Sequence, residues 1–70
     1  MDETAYREFN PTPRAREVFE NRLHFGRKMG FSESRTIDLI VDAIMERCFP
    51  PFAPDYADLN GVQAWVESQF

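Results

Sequence analysis

The densest apolar pattern in the chain lies in residues 30–48, GFSESRTIDLIVDAIMERC. Read on a helical wheel, Ile37, Ile40, Val41, Ile44 and Cys48 form one stripe at i, i+3, i+4, i+7 and i+11. Leu39, Ala43 and Met45 widen that stripe, leaving Asp38, Asp42 and Glu46 as a narrow polar edge. Gly30 supplies a stop before this helix, and Ser32 or Ser34 is its candidate N-cap. So broad an apolar surface predicts a central helix packed on more than one side, with a second copy of the chain as one candidate neighbour.

Upstream, Thr12-Pro13 reads as an N-cap followed by proline at the first helical position. A first helix is therefore expected over about 13–29. Ala15, Val18, Phe19, Leu23, Phe25, Gly26 and Met29 make its covered side, with Arg22 intruding. Gly26 costs about 1 kcal/mol relative to alanine inside a helix, and marks either a close helix contact or an early end. Before Pro11, residues 4–10 form one short extended candidate, a strand or arm that needs a partner to persist. After residue 48, the three prolines of FPPFAPDYADLN predict a connector laid over the core by Phe49, Phe52 and Tyr56. Asp58 or Asn60 is the candidate cap of a last helix over about 61–69, lined by Leu59, Val62, Trp65, Val66 and Phe70. The fold class expected is mainly α: an N-terminal strand or extended arm, a two-helix hairpin and a short C-terminal helix, assembled as a homodimer.

Seventy residues allow one small domain, near the size where a lone core is marginal without a staple or a partner. Cys48 is the only cysteine, so neither an intrachain disulfide nor a cysteine-based metal cluster is available. With no signal peptide and no long apolar run, a cytoplasmic protein that avoids the membrane is expected. The net charge of −4 is unevenly spread: residues 13–35 carry +3, residues 1–12 carry −2 and residues 36–70 carry −5. A basic middle between acidic ends either presents one attractive face or is the solvated side of amphipathic helices.

Candidate chemistry is sparse. His24 stands alone between Leu23 and Phe25, and Ser32 and Ser34 have no histidine or lysine arranged to activate them. The ladder of Asp38, Asp42 and Glu46 lacks the convergent loop geometry that hard cations need. Gly26 and Gly30 do not make a phosphate-binding loop, because no strand precedes them. The expectation is a protein that is not an enzyme and carries neither cofactor nor metal.

The order extended segment, helix, Gly-x-Ser-x-Ser turn and apolar helix resembles the ribbon-helix-helix family of small dimeric DNA-binding regulators. The matching residues are Thr12-Pro13, the turn Gly30-Phe31-Ser32-Glu33-Ser34, and Ile37, Ile40, Val41 and Ile44, over about residues 4–48. Residues 49–70, the proline-rich connector and last helix, fall outside that pattern. The resemblance implies that two strands, one per subunit, pair and enter the DNA major groove, while the start of the second helix meets phosphate. Carried onto this chain, Tyr6, Glu8 and Asn10 would face the bases, Asn10 being the plain base-edge reader. Arg7, Arg14, Arg16, Arg27, Lys28 and Arg35 would form the electrostatic footprint, with Ser32 and Ser34 at the phosphate-facing helix start.

The alternative expectation belongs to a different class. The acidic second half fits a small protein-binding module, antitoxin-like or a phage-type inhibitor, that occupies a basic surface of a larger protein. Its candidate contact residues are Asp38, Asp42, Glu46 and Trp65.

Overall fold

The computed structural model describes residues 9–48 and 56–70. Three helices account for most of them: α1 (Pro13–Met29), α2 (Glu33–Arg47) and α3 (Tyr56–Ser68). The described residues contain no strand, and most of the extended candidate at 4–10 lies outside them.

The boundaries of α1 follow from its local chemistry. Thr12 is extended, and its Oγ1 accepts a hydrogen bond from the Ala15 N–H at 3.1 Å. Pro13 behind it has no N–H to satisfy and a φ already suited to the helix. At the other end Gly30 adopts φ 77°, a left-handed conformation that costs glycine little. Its N–H donates to the Arg27 carbonyl at 3.2 Å, and the Phe31 N–H donates to the Gly26 carbonyl at 3.0 Å. This pair of bonds is a Schellman motif. Arg27 and Lys28 occupy the last turn, where cations complement the helix dipole.

The chain then re-enters a helix within three residues. Ser32, extended, accepts from the Arg35 N–H through its Oγ at 3.2 Å and caps α2. Ser34, the other cap candidate, lies inside the first turn and is exposed. Cys48 ends α2, its N–H reaching the Ile44 carbonyl at 2.8 Å.

Packing places α2 in the middle, with α1 on one side and α3 on another. Ile40, Ile44, Val62 and Val66 have no exposed surface, and Val18, Phe19, Val41 and Ala43 complete the core. Burying side chains of this kind contributes roughly 1.5–3 kcal/mol each. Part of the wide apolar surface of α2, at Ile40, Val41, Ala43 and Ile44, is thus covered from within the same chain.

The fold differs from the expected elements in two places. The last helix begins at Tyr56, not near residue 61, so Asp58 and Asn60 lie within it and do not cap it. Leu59 is half-buried against the core and continues the Val62–Val66 stripe one turn back, which rewards the earlier start. Asp58 in the first turn also sits where a carboxylate is favoured by the helix dipole. On α1, Met29 and Phe25 belong to the expected covered side yet are 55% and 42% exposed.

No helix among the described residues is long and apolar enough to cross a membrane.

Candidate protein-interaction face

α2 turns its core stripe inward and its polar edge outward. Asp38, Asp42 and Glu46, spaced i, i+4 and i+8, are all exposed. Among the described residues none of the three forms an ion pair. Repulsion between like charges at this spacing disfavours the helix by a few tenths of a kcal/mol per pair. No group of three or more His, Cys, Asp or Glu side chains among the described residues is placed to hold a metal ion.

Beside this edge the end of the hairpin forms a shallow groove lined by Phe25, Phe31, Arg35, Asp38, Leu39 and Asp42. Its origin is the Schellman turn. That motif commonly brings the residue after the glycine against a side chain in the last turns of the helix. Here Phe31 meets Phe25 edge to face, with ring centroids 6.0 Å apart. The Arg35 guanidinium then lies 4.6 Å from the centre of the Phe31 ring, a cation–π contact that holds the ring from the α2 side. Leu39 is half-buried one turn further along α2. The groove therefore has an apolar floor, one cation already engaged by an aromatic ring, and two carboxylates on its rim.

The basic residues expected to form a footprint do not gather on one side of α1. Arg14 is exposed near its start and pairs with Glu17 at 3.7 Å, while Arg27 and Lys28 are exposed at its end. Arg16 falls about 160° from Arg14 on the helical wheel, so the two face different directions. Arg27 and Lys28 in the last turn of α1 and Arg35 in the first turn of α2 flank the turn at Gly30. The Ser32 hydroxyl oxygen accepts from the Arg35 N–H in the α2 cap, which leaves its O–H as a donor.

Asn10 is exposed, and Phe9 before it is half-buried against the Trp65 ring at 5.6 Å. Tyr6 and Arg7 lie outside the described residues. Trp65 is half-buried and meets Phe19 edge-on at 5.4 Å, so its ring belongs to the contact joining α1, α3 and Phe9. The hydrophobic periodicity did not single out Phe31, Phe25 or Leu39 as a surface group. The available signal was the Phe-x₄-Gly-Phe spacing around a glycine stop, which pairs two rings across a Schellman turn.

The chain matches no protein-family model. Neither does it match any curated protein or solved structure.

Proposed function

We propose that this chain is a small protein-binding module. It docks the outer face of α2 and the adjoining Phe25–Phe31–Leu39 groove onto a cationic, partly apolar surface of a larger protein. The observation that carries the reading is the acidic edge itself: three exposed carboxylates without ion-pair partners among the described residues, next to an aromatic side chain left 42% exposed. An apolar anchor beside a run of carboxylates suits a docking patch, the anchor giving affinity and the charges steering encounter. Occupying a partner's surface in this way is how an inhibitor of the antitoxin or phage type would act.

The test is capture of a partner from the native host by the immobilised chain, repeated with two variants. The triple variant Asp38→Asn, Asp42→Asn, Glu46→Gln should lose the captured protein, and Arg27→Ala with Lys28→Ala should keep it. A partner held equally by both variants would place the contact elsewhere.

A second reading, a ribbon-helix-helix-type dimeric DNA regulator, is favoured by the placement of Phe9 and Asn10. Phe9 turns inward and Asn10 outward, the alternation that a groove-reading strand would require. Arg27, Lys28 and Arg35 flank the start of α2 as phosphate contacts would. This reading requires two copies paired through residues 4–10. It predicts a shift of random duplex fragments at about 50 mM salt that is lost on replacing Arg27 and Lys28.

A further inference from the structure

At the end of the hairpin remote from Gly30, the first turns of α1 and the last turn of α2 enclose a second depression. It has a volume of about 190 Å³ and is lined by Arg14, Val18, Asn21, Arg22 and Arg47. We infer that this depression, where Arg14 and Arg22 of α1 meet Arg47 of α2, is an oxyanion-binding site suited to a phosphoryl group.

Three of the chain's eight cationic residues line one small concavity in a protein whose net charge is −4. Random placement of solvated charges on a helical surface does not call for this, since two unit charges a few ångström apart repel by about 1 kcal/mol even in water. The usual relief is a carboxylate placed between them. Here Arg14 has only an exposed contact with Glu17 at 3.7 Å, and Arg22 and Arg47 have no ion-pair partner among the described residues. Arg22 is moreover half-buried, although a long charged side chain on that flank could have been placed in solvent.

The wall behind these residues strengthens the case. Val18 is 5% exposed and forms an apolar floor. A concavity with walls of one charge sign over low-dielectric packing focuses the field on whatever enters it. Guanidinium groups offer forked donors matched to the oxygens of a phosphoryl group, and the shorter Asn21 amide adds an uncharged donor at the wall. Arginine also binds carboxylates, but three forks around one small volume match a multiply charged group with several equivalent oxygens better than a single carboxylate. The phosphoryl group comes either as a free small ion or as a phosphomonoester on a larger molecule.

The site is independent of the acidic face of α2 proposed above, and the experiment keeps them apart. Inorganic phosphate is titrated into ¹⁵N-labelled full-length chain at constant ionic strength, with acetate as a matched control, and phosphoserine as a second arm. The expected result is a saturable set of amide shifts centred on Val18, Asn21, Arg22 and Arg47 with phosphate, and weaker or unsaturable shifts with acetate. Tighter binding of phosphoserine than of phosphate would identify the monoester as the source, and the reverse would identify the free ion. Arg22→Gln and Arg47→Gln should each weaken binding by roughly tenfold or more, as loss of a charge-assisted fork does. Lys28→Gln, at the other end of the hairpin, should leave it unchanged. Because Arg22 is half-buried, the exposed Arg47→Gln serves as the variant that leaves packing intact, with its helical circular dichroism as the check. Shifts spread over all the basic residues, equal for phosphate and acetate, or unchanged in Arg47→Gln would overturn the assignment.

Discussion

A methyl group placed on Gly26 would sit 2.7 Å from Oγ1 and 2.8 Å from Cγ2 of Thr36, so α1 and α2 meet there with bare backbone against a side chain. Thr36 cannot swing aside freely. It is 4% exposed, its χ1 is stiffened by branching, and its hydroxyl donates to the Ser32 carbonyl at 2.9 Å.

Gly26→Ala should therefore destabilise the protein, although alanine is the better helix former. Overpacking a fixed contact costs about 1–3 kcal/mol, against a propensity gain of ~1 kcal/mol. A urea denaturation midpoint below wild type is the expected outcome. Adding Thr36→Ser, which removes Cγ2 and keeps the hydroxyl, should recover part of the loss.

The starts of α1 and α2 each depend on one side-chain oxygen. Thr12→Ala and Ser32→Ala should each lower stability by about 1 kcal/mol, as lost N-caps do. Ser34→Ala should have little effect, because Ser34 sits inside the first turn. Comparing the three by chemical denaturation tests which serine caps α2.

Ile40 is fully buried between α1 and α3, so Ile40→Asp should abolish the fold. An unpaired carboxylate there costs several kcal/mol, a large share of what a domain of this size possesses. Loss of the helical signal at 222 nm measures it. A variant that kept its wild-type melting temperature would show the core to be wrongly located.

The same closed core makes a prediction about assembly. Ile40, Ile44, Val62 and Val66 are covered within one chain, so the melting temperature should not depend on protein concentration between roughly 5 and 500 µM. A midpoint that climbs with concentration would mean that a second copy completes the fold.

Neutralising Asp38, Asp42 and Glu46 should leave stability unchanged or slightly raised, because it relieves repulsion along an exposed edge. The variant's thermal midpoint, read beside its loss of partner capture, separates a docking role from a folding one. If duplex DNA is bound instead, affinity should fall by about 10³-fold or more between 50 and 200 mM salt.

Much of the hairpin was legible in the sequence because its boundaries are written in single residues. Thr12-Pro13, Gly30 and Ser32 act through their own backbone and side-chain chemistry, and need no distant contact. Gly26 carried two readings, and the nearness of Thr36 selects the close contact. Periodicity revealed that α2 is apolar over a wide arc but could not name the occupant of that arc. The start of α3 was hidden for a related reason. Gly61 and the nearby Asp58 and Asn60 look like a boundary, yet tertiary contacts of Leu59 and Val62 outweigh those local preferences. The Phe25–Phe31–Leu39 groove is a product of two elements meeting, which no single-helix pattern displays.

Trp65 is the only tryptophan in the chain, and its indole makes edge-to-face contacts with both Phe9 and Phe19. The molecule therefore carries an intrinsic fluorophore at the junction of α1, α3 and the segment entering α1. Its emission should shift to the red when the helices part. Phe9→Ala should produce a smaller spectral change while the circular dichroism stays helical. One optical signal thus resolves undocking of the entering segment from global unfolding, without any label being attached.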